Sequence, residues 1–489
     1  MSLTTSLSAA LSSLSVTAEQ TSVISSNVAR ASDPTATRKT ANVITIPNYG
    51  VKVASVTRAM DSALYNNLLS ATSSASGQSA ILDALTQLDQ TVNDTEQDAS
   101  PAALLQKLSD AIQQYSAAPQ DTVRGQAAVS AAKTLATALN DDTDIVQGVR
   151  SKADADIASS VSNLNTLLSR FGEINLEIVK GSRVGADVTD YLDQRDQIVS
   201  QISEEVGVRT ATRADNDMAL YTDSGVTLFD VTARSITFQA TPTYVAGTTG
   251  NAVYADGVPI TGGSATMSVG TGRLPALTKV RDDIAVTYQS QLDEVARGLI
   301  QAFSESDQSA TPTQPDVPGL FTWGGAPALP PSGGITAGLA GSIKVNPLAD
   351  ADQGGNAALL RDGGINGAAY VYNSTGGASY SDRLQQLMDK MSATQSFDPA
   401  AKIDTSATLA GFAASSAAWL EDARSKASDE SDYRNTLVQR SSDALNKVTG
   451  INLDEEMTLM LQLERTYQAS SKLVSAVDSM LNTLMTAMG

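Results

Sequence analysis

Residues Gly450–Gly489 read GINLDEEMTLMLQLERTYQASSKLVSAVDSMLNTLMTAMG, and their spacing predicts one long amphipathic helix. Leu459, Leu463, Thr466, Ser470, Leu473, Val477, Met480 and Leu484 alternate steps of four and three, with Met460, Tyr467, Val474, Leu481 and Met488 close beside that row. Asn452 or Asp454 can cap the start, where Asp454, Glu455 and Glu456 suit the positive end of a helix dipole. About 36 residues at a rise of 1.5 Å make a rod of roughly 54 Å, longer than most globular helices. Such a stripe needs a partner.

The first thirty residues supply one. Leu3, Leu7, Ala10, Leu14, Thr17, Thr21, Ile24 and Val28 repeat the four-three alternation, with Leu11 and Ala18 adding apolar contact. Several of these are small or polar, so the helix buries little alone and is marginal in water without tertiary support. The two terminal stripes are therefore expected to pair with each other as a coiled coil.

Composition narrows the chemistry. The 489 residues include 53 acidic and 33 basic side chains, a formal charge of −20, with no cysteine and no histidine. The charge opposes binding to nucleic acid or to anionic lipid. Thiol nucleophiles, disulfides, Cys or His zinc sites and imidazole bases are excluded. The segment MSLTTSLSAALSSLSVTAEQ lacks the basic and continuously apolar regions of a cleaved signal peptide, and no run of about 18 apolar residues predicts a membrane span.

Between the ends the pattern changes twice. From about Asp61 to Glu205 the chain is rich in Ala, Leu, Gln and Ser at helical spacing. VGVRTATRADNDMALYTDSGVTLFDVTARSITFQATPTYV then alternates apolar and polar residues between turn signals, as antiparallel strands do. Helix returns in VRDDIAVTYQSQLDEVARGLIQAFSES, glycine and proline crowd 310–380, and helical spacing resumes from Asp382. The expected fold is mainly α with an inserted antiparallel β domain, a multidomain α+β chain. Residues 1–45 and 450–489 form a terminal coiled-coil domain. The ranges 46–205, 276–309 and 381–449 form a helical rod, 206–275 the β domain, and 310–380 a loop region attached to the rod. Inserted far from both ends, the β domain is expected to project from the rod.

Candidate chemical sites are few. The adjacent acids Asp141–Asp142, Glu204–Glu205, Asp282–Asp283 and Glu455–Glu456 point apart on a helix and read as solvated surface. LADADQGGN offers Asp350 and Asp352 in the manner of a calcium loop but lacks the distal Glu, so it reads as a turn. The glycines of GGITAGLAG follow proline, not a strand, and no phosphate-loop motif occurs. No catalytic, cofactor-binding or metal site is expected.

The two ends together resemble the bacterial flagellar axial proteins. The residues that carry the likeness are LSAALSSLSVTAEQTSVISSNVARASDPTATRK near the start and TGINLDEEMTLMLQLERTYQASSKLVSAVDSMLNTLM near the end. Arg30 stands where the family has Asn, and Thr35–Ala36 where it has Gly-Tyr. DYLDQRDQIVSQISEEVGVRT, ALYTDSGVTLFD and YQSQLDEVARGLIQAFSES follow in the order found in that family's junction subunits, with the other axial proteins and a secreted adhesin as alternatives. The resemblance implies a non-enzymatic structural subunit, exported by the flagellar type III apparatus without a cleaved signal and placed as a ring between hook and filament. Its implied partners are further copies of itself, the hook protein, the second junction protein and a cytoplasmic export chaperone. The assembly and chaperone contacts fall on Leu3, Leu7, Leu14, Ile24, Val28, Leu459, Leu463, Tyr467, Leu473, Val474, Val477, Leu481 and Leu484.

Overall fold

The computed structural model describes residues 3–47, 50–92 and 99–488. Helix α1 (Leu3–Arg30) leads into a hairpin of β1 (Lys39–Ile46) and β2 (Gly50–Arg58). Helices α2 (Ser62–Val92), α3 (Pro101–Ala117), α4 (Thr122–Val184) and α5 (Thr189–Glu205) follow. Strands β3 (Val208–Thr212), β4 (Met218–Thr222), β5 (Thr227–Asp230) and β6 (Thr232–Ala233) form an antiparallel meander. A three-stranded sheet of β7 (Ile236–Thr237), β8 (Tyr254–Ala255) and β9 (Val258–Pro259) comes next. Helix α6 (Arg273–Lys279) then runs through a π turn into α7 (Ala285–Ala302). The stretch that follows holds β10 (Phe321–Thr322), β11 (Lys344–Val345) and α8 (Leu359–Asp362). Helix α9 (Asp382–Ser392), the pair β12 (Thr394–Ser396) and β13 (Ser406–Thr408), α10 (Leu409–Thr449) and α11 (Leu453–Met488) complete the chain.

Helix boundaries follow local chemistry. Ser100 caps α3 by accepting the Ala103 N–H at 3.3 Å, with Pro101 in the first turn where its missing N–H costs nothing. Asp121 caps α4, whose 63 residues span about 95 Å at 1.5 Å per residue, and Gly185 ends it at φ 73°, a left-handed conformation that only glycine adopts freely. Asn452 is the cap of α11: its Oδ1 accepts the Asp454 N–H at 3.0 Å.

The main core lies among α2, α3, α4, α7 and α10, with Leu69, Leu88, Leu139, Leu164, Phe171, Leu292, Leu299, Phe412 and Leu420 buried in it. Helix α7 is enclosed on every side, although half of it is polar. The polar atoms are met by distant segments. Asp293 accepts the N–H groups of Gly338 and Ala340, each at 2.9 Å, and Gln291 donates to the Ala401 carbonyl at 2.9 Å. Glu294 accepts the Asp398 N–H at 2.8 Å, and Arg297 donates to the Ser396 carbonyl at 2.6 Å. Buried polar groups are tolerable only when bonded in this way.

The β elements do not stand off the rod as the sequence suggests. Phe229 of β5 meets Phe171 of α4 edge-on, with ring centroids 4.9 Å apart. Asn165 brackets the backbone of Ile236, donating to its carbonyl at 2.8 Å and accepting its N–H at 3.0 Å. A buried Arg281–Asp154 pair at 2.7 Å holds Tyr244 and the Thr241 N–H to the same helix. The β sequence alternates in order to pack one side on α4, so it is a flank of that helix.

Candidate assembly surface

Helices α1 and α11 lie antiparallel and share a seam. Ser13 and Ser470 bond across it at 3.0 Å, and Asn27 donates to Glu456 at 2.9 Å, so the end of one helix meets the start of the other. Ala10, Val16, Thr17 and Ile24 are buried in α1, while Leu7, Leu14 and Val28 are half-buried and Leu11 is exposed. The Leu3 side chain lies outside the described residues.

On α11 the buried face is Glu456, Ser470 and Val477, flanked by half-buried Leu459, Met460, Leu463, Val474 and Leu481. Tyr467 is exposed, and so is the far half of the expected row: Leu473, Met480 and Leu484 are 58%, 52% and 55% exposed against 5% for Val477. A single four-three row is too wide for one partner. Helix α1 covers the 463–470–477 side, and the 466–473–480 side turns to solvent, since a straight helix drifts by about 20° per heptad.

The hairpin β1–β2, which sequence spacing assigns partly to the coiled coil and partly to the rod, closes over α1. Ser12 Oγ accepts the Val51 N–H at 3.2 Å. Gly50, at φ 102°, passes so close that a Cβ there would lie 2.0 Å from Ser12 Oγ. The alternation in KTANVITI and GVKVASVTR is the signal that could have found it.

A second set of residues ties this module together and to the body. Glu456, read from sequence as solvated surface, is 1% exposed, and its carboxylate accepts from Arg38 Nε at 2.7 Å and from Asn27. Asn27 also brackets Lys39, donating to its carbonyl at 2.9 Å and accepting its N–H at 3.1 Å. On α5, Asp190, Asp193 and Asp196 fall at three-residue steps on one face. Arg30 reaches Asp190 at 2.5 Å and Asp193 at 3.4 Å, and Lys39 also pairs with Asp190. Arg58 bridges Asp193 at 2.9 Å and Asp196 at 2.5 Å. Burial alone would lower the Arg58 pKa, but Asp196 and Asp193 outweigh it and raise it. Burial also pushes the Asp196 carboxyl up, against the pull of Arg58, so desolvation offsets part of what this pair contributes.

Two further acids depart from the surface reading. Asp142 is buried in α4 with Oδ2 unpartnered, and burial, with Asp141 beside it, pushes its pKa up to about 8. Glu205 is buried and accepts from Asn163 at 2.7 Å. The turn at Asp350 and Asp352 is closed by the Lys133 ammonium, 3.1 Å from each carboxylate, which occupies the place a cation would need. No helix among the described residues is long and apolar enough to cross a membrane.

Comparison with known proteins agrees with this geometry. Residues 85–318 match the family described as the flagellar hook-associated protein FlgK helical domain, and residues 446–487 match the flagellar basal body rod FlgEFG protein C-terminal family. Helical ends paired around a largely helical interior agree with these matches to flagellar axial protein families. Flagellar hook-associated protein 1 of Bacillus subtilis is 24% identical over 435 residues, covering 83% of this chain and 80% of the relative. The proteins of that name from Salmonella typhimurium and Escherichia coli are 25% and 23% identical, and the chain spans about half the length of each, 46% and 51%. The chain is thus similar to the flagellar hook-associated protein 1 family through its helical interior and its C-terminal helix. The solved flagellar hook junction protein FlgK from Burkholderia pseudomallei is 22% identical over 53% of this chain and 47% of its own, with a TM-score of 0.43, too low to bear on the arrangement of the domains.

Proposed function

We propose that this chain is the subunit that joins hook to filament, a non-catalytic component that needs no cofactor. It is exported by the flagellar type III apparatus and assembled as a ring outside the cell. The observation that carries this reading is the second apolar flank of α11. Leu473, Met480 and Leu484 are large, lie along one side of a helix already paired with α1, and stay exposed. Contiguous exposed apolar surface of this kind marks an interaction site. Neighbouring copies, the hook protein and the second junction protein cover it in the assembled axis, and an export chaperone masks it beforehand. Within this reading, Leu7, Leu14, Ile24, Val28, Leu459, Leu463, Val474, Val477 and Leu481 build the helix pair, whereas Tyr467, Leu473 and Leu484 face partners.

The test is deletion of the gene. The expected phenotype is hooks that carry no filament, with filament protein lost to the medium. Normal filaments on the deletion strain would overturn the proposal, and loss of hooks would assign the chain to a more proximal part of the axis.

A further inference from the structure

We propose that the module formed by α1, the β1–β2 hairpin and α11 is clasped to the body by charge, through the Asp190–Asp193–Asp196 face of α5, and pivots there when the clasp is opened. Three observations carry this, none of which depends on the function proposed above.

The first is the absence of a shared core. Among the described residues, the contiguous apolar core runs from Tyr65 to Ala427, with Leu445 the last side chain packed against it. It includes no residue of α1, β1, β2 or α11. The buried apolar residues of α1 and α11, Ala10, Val16, Ile24 and Val477, lie outside that core.

The second is a division of charge. Residues 1–60 carry Arg30, Arg38, Lys39, Lys52 and Arg58 against Glu19 and Asp33, a net +3, whereas α11 carries Asp454, Glu455, Glu456, Glu464 and Asp478 against Arg465 and Lys472, a net −3, so the module's excess of bases is gathered on its α1 and hairpin side. Three of the five bases reach acids of α5: Arg30 to Asp190 and Asp193, Lys39 to Asp190, and Arg58 to Asp193 and Asp196. Asp193 is the hub, since it also accepts the Thr37 hydroxyl at 2.7 Å. A fourth base, Arg38, bonds the start of α11 and keeps the module whole.

The third is that the joint is not filled. A groove of about 530 Å³ runs beneath β2 between the hairpin and the body, lined by Ser55, Thr57, Tyr65, Leu192 and Met218 among others. Arg195 Nε and Asp196 Oδ1 are buried at this joint without a partner. Close packing leaves few voids of that size, and an apolar joint resists rotation because every contact must break together. A clasp of ion pairs beside an open groove can be released while both bodies stay folded.

The absence of cysteine makes the test direct. Ser15→Cys on α1 and Glu173→Cys on α4 are both exposed positions, and spin labels on the pair report the distance between module and body by pulsed electron resonance. The parent should give one narrow distance. Asp190→Asn, Asp193→Asn and Asp196→Asn together should at least double the width of the distribution, and Arg30→Ser with Arg58→Ser, made on the other side of the joint, should do the same. The body's circular-dichroism melt should be preserved in the second variant. Raising salt from about 0.1 M to about 1 M shortens the screening length from about 10 Å to about 3 Å, and should broaden the parent only in part because Arg58 and Asp193 are buried. A distribution unchanged in both variants would show that other contacts hold the joint. Loss of the body's melt in both would mean that these charges hold the body itself together. Either result overturns the proposal.

Discussion

Asp142→Asn is expected to stabilise the protein, and increasingly so as pH rises. The native carboxyl is buried in α4, has an unpartnered Oδ2 and sits beside Asp141. These surroundings push its pKa from the ordinary 3.8 up to about 8. Its folded-state pKa is therefore above its unfolded value, and the folded chain holds this proton more tightly. The contribution is fully present below about pH 4 and is lost as pH climbs through about 8. Each unit is worth about 1.4 kcal/mol, so the full shift corresponds to roughly 6 kcal/mol, of which relaxation and water entry should leave about 2–4 kcal/mol measurable. Asn keeps the shape and removes the charge. Urea unfolding of parent and variant at about pH 4 should give nearly equal midpoints, and at about pH 8.5 the variant should lead by the amount above. Comparing the two chains at each pH cancels the other titrating groups. A gap that stays constant with pH, or a variant less stable throughout, would refute the reasoning.

Replacing Leu473, Met480 and Leu484 with Ser should leave the thermal melt within about 1 kcal/mol of the parent, because surface changes seldom cost more. Filament attachment, scored by electron microscopy and swimming, should be lost, and normal swimming would sink the assignment of that flank. Phe229→Ala should cost about 3–5 kcal/mol by emptying the contact with Phe171, read as a lower urea midpoint. Glu456→Ala leaves Arg38 and Asn27 without their buried acceptor, and should cost about 2–3 kcal/mol in the pairing of α1 with α11. Helicity lost from the terminal helices before the body melts would report it, and a single unchanged transition would count against the bond's importance.

The terminal helices are legible in the sequence because a heptad stripe is a local pattern, and so is the break between α10 and α11, where Gly450 and the Asn452 cap fall together. Which side of α11 its partner covers is not legible. Leu473 and Val477 are four residues apart and equally apolar, and only the placement of α1 separates the exposed one from the buried one. Glu456 looks like any acid at a helix start, since the residues that bury it, Asn27 and Arg38, lie more than 400 positions away. The α5 acids are hidden for the same reason, since their partners Arg30, Lys39 and Arg58 lie far from them along the chain. The β stretch shows its strands but not its support, because Phe171 and Asn165 sit in a helix that reads as rod.

Helix α7 also constrains the order in which the protein can be completed. Its walls include α4, more than a hundred residues before it, and backbone groups at Gly338, Ser396, Asp398 and Ala401, as far as a hundred residues after it. The Ser416 hydroxyl closes the last side by donating to Gln291 at 2.7 Å. A growing chain that has reached residue 390 has made α7 but not the segments that answer Gln291, Glu294 and Arg297. Closing loops of this length is slow, and the intermediate exposes polar and apolar groups that nothing yet satisfies. The surroundings of α7 are therefore complete only once residues 396–416 are in place.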